Sequence, residues 1–240
     1  MQDTGSPLSI GFGGGMAPSD IVECAKLADT LGYHSIWMSE GNGGDQFSIL
    51  TACALSTEQV RLGTNISSVF IRSAPTIAMA AASVDHFSKG RFILGLGSSH
   101  KVQVEGQHGL PYSTPLSHLR ETVEIIRRII RDGSVSYKGQ CLNIERFDLT
   151  FTPHRPEIPI YLAAVFPKML TTCGEVAQGT ILTQNTPEKA REAADIVAAG
   201  AMKTGRAIHE VEIASMLACQ VTSNTAQARD EARQSLAHTC

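Results

Sequence analysis

The sequence predicts an α/β fold built on a parallel sheet, and three observations carry that expectation. Short apolar runs of strand length alternate with segments of helical periodicity almost from end to end. Seven such βα units follow one another in strict order, the pattern of a parallel sheet buried on both faces. The length of 240 residues suits one large α/β domain without forcing a split, and no internal repeat, low-complexity tract or linker interrupts it. Two architectures satisfy these observations, a doubly wound open sheet and a (β/α)8 TIM barrel. Seven strands are one short of barrel closure, so the barrel is expected to lack its last βα unit, with residues 1–240 forming a single C-terminally incomplete domain.

The elements follow in chain order. LSIGFGG (8–14) reads as a strand, and Ser19 can cap a helix whose face is Ile21, Ala25, Ala28 and Leu31, ended by Gly32. SIWMSE (35–40) is the second strand, followed by the loop GNGGD and a short helix near Phe47 to Leu55. VRLGTNISSVF (60–70) opens with the third, and a helix from Pro75 to Phe87 has proline near its first turn. RFILGLG (91–97) is the fourth. Thr114-Pro115 then begins a long helix with Leu119, Val123, Ile126 and Ile130 on one face. Irregular alternation around Lys138-Gly139 marks residues 135–149 as an inserted hairpin. IPIYLAAV (158–165) is strand five, with a helix from Pro167 to Val176. GTILTQ (179–184) is strand six, and Thr186-Pro187-Glu188 starts the next helix. EIASMLACQVTS (212–223) is strand seven, and a last helix begins near Thr225.

Composition excludes several function classes. With 42 % hydrophobic and 18 % charged residues the chain reads as an ordinary globular protein. A formal net charge of −3 without any basic stripe argues against nucleic acid or an anionic membrane as partner. No apolar run approaches the roughly 18 residues of a membrane span, and no signal peptide is evident. Six scattered cysteines without a CxxC pair fit reduced thiols, so a cytoplasmic location is expected.

GLGSSH (95–100) comes within one residue of the G-x-G-x-x-G dinucleotide fingerprint. The fingerprint needs its third glycine so that a helix can start tightly and aim its N-terminus at a pyrophosphate. His100 occupies that position, KVQVEGQHGLPYS reads as a long loop, and the stretch belongs to the fourth βα unit rather than the first. The better reading is a strand end whose glycines let backbone approach a ligand. Phosphate-loop, HExxH, EF-hand and G-x-S-x-G patterns are missing, and His100 with His108 alone does not make a metal site.

The strand ends therefore decide the matter, because barrel enzymes build their sites there. Glu40 follows strand two, Asn65-Ile66-Ser67 end strand three, and Ser98, Ser99 and His100 follow strand four. Ala163-Ala164-Val165 end strand five and Thr183-Gln184-Asn185 end strand six. Small and polar ends suit a planar ligand lying across the mouth with its tail on backbone amides. Each also has a plain structural reading: Glu40 solvated or salt-bridged, His100 as loop surface, the Ala163-Ala164 pair as packing.

The run RSAPTIAMAAASVDHFSKGRFILGLGSSHKVQVEGQHGLPYSTPLSHLRETVEIIRRII resembles the luciferase-like monooxygenase superfamily, and within it the branch using the deazaflavin coenzyme F420, typified by methylenetetrahydromethanopterin reductase. IPIYLAAVFPKMLTTCGEVAQGTIL is similar to a later section of the same family. The resemblance implies a luciferase-like barrel with its cofactor at the C-terminal ends of the strands. It implies that Glu40 faces the deazaflavin ring and that Asn65-Ile66 is a non-prolyl cis peptide behind it; Ser67 and Ser98, at the ends of strands three and four, are counted among the cofactor-binding candidates. Ala163, Ala164, Thr183, Gln184 and Asn185 match positions lining the ring and its ribityl-phosphate tail. Relatives often carry a glutamate as proton donor where this chain has His100, and a histidine can move protons near neutral pH.

The expected activity is hydride transfer between the deazaflavin and a small organic substrate, with Glu40 orienting the ring and His100 donating the proton. The alternatives are an FMN-dependent monooxygenase fed by a separate flavin reductase, and a non-catalytic flavin-binding or scaffold protein. A homodimer is the expected assembly; under the scaffold alternative, a sheet missing one strand has two edges open to pairing with another chain.

Overall fold

The structure, a computed structural model, describes residues 7–183 and 185–239. Its strands are β1 (Ser9–Phe12), β2 (Ser35–Met38), β3 (Arg61–Thr64), β4 (Ser67–Ser68), β5 (Phe92–Gly97), β6 (Ser134–Lys138), β7 (Asn143–Asp148), β8 (Ile160–Ala163), β9 (Gly179–Thr183) and β10 (Glu212–Met216). The helices are α1 (Pro18–Thr30), α2 (Gln46–Ser56), α3 (Ala74–Phe87), α4 (Lys101–Gly106), α5 (Pro115–Asp132), α6 (Pro167–Val176), α7 (Pro187–Lys203) and α8 (Thr225–Thr239). No helix among the described residues is long and apolar enough to cross a membrane.

The principal sheet runs β1-β2-β3-β5-β8-β9-β10 with every neighbouring pair parallel, and β4 joins alongside β5. The order never reverses, so the sheet has no switch point and is not doubly wound. It curls in one direction into a nearly closed barrel whose path ends at β1 and β10. β6 and β7 form the antiparallel hairpin expected over 135–149.

Strand periodicity sorts the core into two layers. Outward residues Ile36, Met38, Leu62, Leu94, Leu96, Ile160 and Leu162 join helix residues such as Ile21, Ile77, Leu119 and Ile126 in the shell. Inward residues Ile93, Tyr161 and Ile181 form a smaller cluster inside the barrel, with Trp37, Ile66 and Ala163 against it. Trp37 of β2 and Tyr161 of β8 are not on neighbouring strands, yet their ring centroids lie 5.7 Å apart, so this contact spans the lumen. Each fully buried Leu or Ile contributes about 2 kcal/mol relative to exposure, which makes the shell the larger source of stability.

Local details depart from the sequence expectation at four places. Ser19 does not cap α1; Ala17 is the N-cap and Pro18 sits at N1, where its missing N–H costs nothing. Leu31 is 63 % exposed and lies beyond the helix, while Ile21, Ala25 and Ala28 are buried as expected. KVQVEGQHGLPYS is not all loop, because α4 begins at Lys101 with His100 as its N-cap. Strand seven ends at Met216, and Leu217 and Val221 are exposed rather than paired.

Candidate functional site

The site grows from β5. Gly95 has no side chain because Thr64 lies against it: a Cβ there would come within 1.9 Å of the Thr64 carbonyl oxygen. Thr64 Oγ1 donates to Gly95 O at 2.7 Å and accepts from Gly95 N at 2.9 Å. After Thr64 the Asn65–Ile66 peptide is cis, as the family resemblance implied. The chain then turns into β4, whose Ser67 and Ser68 pair with Leu96 and Gly97. A Cβ on Gly97 would lie 2.9 Å from Ile66 Cδ1 and 3.5 Å from Ala163 Cβ. Gly97 thus lets the Ile66 side chain and Ala163 meet over the end of β5, an apolar platform at the C-terminal mouth.

Beside this platform stands a charged clamp. Glu40, just past β2, accepts from Ser68 N through Oε2 at 2.6 Å and from Arg72 Nε through Oε1 at 2.5 Å, and Ser67 Oγ lies 3.4 Å from Oε2. Arg72 also bonds Asp45 through Nη2, and its guanidinium sits 5.2 Å from the centre of the Phe47 ring. Side-chain exposure is only 12 % for Glu40 and 24 % for Arg72, so the pair is largely withdrawn from water. Asp45 in turn caps α2 by accepting from Ser48 N. Burial pushes the Asp45 carboxyl up, but the Ser48 amide and Arg72 outweigh it and hold it below the usual carboxylate range. Burial likewise opposes the charge on Arg72, and the two carboxylates more than restore it. A cavity of about 250 Å³ opens here, lined by Glu40, Asn42, Asp45, Arg72, Gln103 and His108 among others.

The remaining residues ring the same mouth. Ala164 is buried and its N–H donates to Ile181 O at 3.2 Å. Asn65 Nδ2 lies 2.8 Å from Met216 Sδ at the end of β10, spanning the mouth from the other side. Thr183 pairs with Met216 at the tip of β9. Asn185 follows, and its Nδ2 is buried without a partner among the described residues. Ser98 is half-buried just past β5. His100 is exposed at the start of α4 and is not on the wall of the Glu40 cavity, whereas Gln103 and His108 are. Gln184 lies outside the described residues.

Two features escaped the sequence. Arg72 sits in an apolar stretch just before the N-cap Ser73, and only the fold reveals that it faces Glu40 and Asp45. Phe70 packs against Tyr112 and His118 in tilted pairs, with ring centroids 4.6 and 4.4 Å away, and so ties the segment before α5 and its first turn to the chain after β4. The spacing of these three aromatic rings follows no strand or helix period, so no sequence signal announces them.

Parallel strands in unbroken order, a shell of helices, and a cavity at the strand C-termini define an α/β-barrel protein of the TIM type. The luciferase-like monooxygenase family matches residues 2–239, and the chain belongs to it. It is 31 % identical over 227 residues to the 5,10-methylenetetrahydromethanopterin reductase of Methanolobus tindarius, covering 92 % of this chain and 69 % of that protein. The enzyme of the same name from Archaeoglobus fulgidus is 31 % identical over 209 residues, covering 87 % of this chain and 62 % of the relative. The solved coenzyme F420-dependent tetrahydromethanopterin reductase from Methanopyrus kandleri superposes with a TM-score of 0.82 at 26 % identity, covering 87 % of this chain and 65 % of that structure. The chain thus spans about two thirds of the length of the relatives it matches.

Proposed function

We propose that this chain is an oxidoreductase that binds the deazaflavin coenzyme F420 across the strand-tip mouth and passes a hydride between it and a small organic substrate. The observation that carries this reading is the joining of an apolar platform, Ile66 with Ala163 over Gly97, to a polar rim at the same mouth. The likeness to methylenetetrahydromethanopterin reductases, and to a solved tetrahydromethanopterin reductase that depends on coenzyme F420, supports F420 as the cofactor. The residues present fit such a group. A flat ring would lie on the Ile66–Ala163 platform, and the orphaned Nδ2 of Asn185 is a donor suited to an oxygen of the ring or tail. When bound, the deazaflavin supplies the hydride chemistry, and the protein supplies orientation, exclusion of water and a proton.

Glu40 takes a positioning role, since both of its oxygens are bonded to Ser68 N and Arg72 and hold the β4 turn under the platform. His108 shares the Glu40 cavity and is the better supported proton donor; His100 stands on the rim. A His108→Ala variant is expected to lose turnover at least tenfold with cofactor affinity little changed. Loss of turnover in His100→Ala alone would return the donor role to the residue suggested by sequence.

The decisive experiment is titration of the purified protein with F420 and, separately, with FMN, followed by ring fluorescence. Saturable binding of F420 is expected. Saturation by FMN alone would replace the deazaflavin reading with that of a flavin monooxygenase, and saturation by neither would remove both.

A further inference from the structure

A second cavity, of about 390 Å³, opens at the opposite end of the barrel. It lies between α5, the segment leading into β8, and the turn from α6 to β9, so it is bounded by the N-terminal ends of strands whose C-terminal ends form the mouth. Its size is within the range of small-molecule sites. One wall is apolar, made by Ile126, Ile130 and Ile158. The other carries Arg127 and Arg206, with Glu157 at the edge.

Arg206 is already held, its Nη1 donating to Gly174 O at 2.8 Å and Ala177 O at 2.7 Å. Arg127 is only partly held. Its Nη2 donates to Val176 O at 2.6 Å and to Gln178 Oε1 at 3.0 Å, while Nε is buried without a partner among the described residues. No carboxylate of the described residues comes within 4.0 Å of Arg127. Glu175, which also lines the cavity, is occupied by Arg120 and Lys203. Glu157 accepts from Gln178 Nε2 at 2.8 Å and is the one carboxylate on the wall without a cation in ion-pair range among the described residues. Burial lowers the Arg127 pKa, Glu157 opposes that, and Arg206 adds to it. A desolvated guanidinium beside a second cation, with a donor unmet, is the setting in which an anion stabilises most.

We propose that this cavity binds a small carboxylate with an apolar body, the carboxylate on Arg127 and the body against Ile126, Ile130 and Ile158. The site stands apart from the strand-tip mouth, and its test does not depend on the cofactor reading. Hexanoate is the probe, with hexan-1-ol and acetate as controls, titrated calorimetrically and followed by methyl NMR of labelled isoleucines. Hexanoate is expected to saturate one site and to shift the methyls of Ile126, Ile130 and Ile158, with each control at least about tenfold weaker. Arg127→Met is expected to weaken hexanoate at least about tenfold. Glu157→Gln leaves Arg127 in place and removes the facing carboxylate, so it is expected to tighten hexanoate severalfold while leaving hexan-1-ol unchanged. Absence of saturation in the millimolar range would overturn the proposal. So would equal binding of hexanoate and hexan-1-ol, or shifts confined to Ile66 of the platform and Ile71, which lines the Glu40 cavity at the mouth.

Discussion

Glu40 commits both carboxylate oxygens to the protein itself, and that decides how the residue must be tested. Arg72→Met would leave Glu40 withdrawn from water and facing no cation, a change that breaks a mostly buried pair from one side. The expected cost is about 2 kcal/mol of unfolding free energy, below the full value for a deeply buried pair because both side chains keep some exposure. Chemical denaturation of Arg72→Met and Arg72→Lys checks this. The lysine keeps the charge but cannot bridge Glu40 and Asp45 with a planar fork, so it is expected to recover only part of the loss. A destabilised Arg72→Met that is fully restored by Glu40→Gln would show that the penalty is the stranded carboxylate. Equal stability of wild type and Arg72→Met would mean that the clamp does not form. The glycines nearby give a second comparison. A Cβ on Gly95 meets the Thr64 carbonyl at 1.9 Å, backbone that cannot yield, whereas a Cβ on Gly97 meets side chains alone, Ile66 Cδ1 and Cγ1 at 2.9 Å and Ala163 Cβ at 3.5 Å. Gly95→Ala is therefore expected to cost more than about 3 kcal/mol, and Gly97→Ala about 1 kcal/mol with a larger loss in ligand binding. Thermal unfolding and F420 titration of the two variants separate these effects.

At the scale of elements, α5 shows what the sequence could and could not convey. Its face of Leu119, Val123, Ile126 and Ile130 was legible at helical period, and all four are buried. The hairpin β6–β7 was legible from the break in that periodicity, and the helix from Pro167 to Val176 came at its exact bounds. α4 was not legible, because six residues with one buried side chain, Val104, carry no period to detect. The end of β10 was misread for the converse reason: LACQV is apolar enough for a strand, yet Leu217 and Val221 stay exposed among the described residues. The site was legible only as a set of strand ends, since partnerships such as Glu40 with Arg72 join residues 32 apart that no local pattern relates. His118, on α5, makes the element's chemistry testable. Burial lowers its pKa below the ordinary 6.5, while the Val69 carbonyl and Glu121 oppose that without overcoming it. The unfolded chain therefore takes up this proton first as pH falls. Stability attributable to His118 is complete above about pH 6.5 and declines as pH drops below it toward the folded value. His118→Phe keeps a ring against Phe70 and removes the titration. Its stability relative to wild type is expected to rise between about pH 7 and pH 5, and an unchanged difference across that window would refute the assignment.

For the whole molecule, the question is whether the lumen and the shell are one cooperative unit. The same strands build both, with Ile93 inward beside Leu94 outward, and Tyr161 inward between Ile160 and Leu162. Neither layer can loosen without moving the other's side chains. Trp37 is the single tryptophan of the chain, and it reports on the lumen alone. Its ring faces Tyr161, and its Nε1 donates to Ser35 Oγ at 2.8 Å, which is bonded in turn to Ser9 Oγ at 2.6 Å. Far-ultraviolet circular dichroism, by contrast, is dominated by the helices of the shell. Denaturant transitions followed by Trp37 emission and by dichroism are expected to coincide. Tyr161→Ala removes the aromatic partner across the lumen and is expected to lower stability by about 3–4 kcal/mol. It should shift both transitions together. If the emission transition moves to lower denaturant while the dichroism stays, the lumen melts on its own, and the barrel is a shell around a separable core. The mouth would then be open to rearrangement without loss of the fold, because Ile66 and Ala163 pack on the lumen cluster.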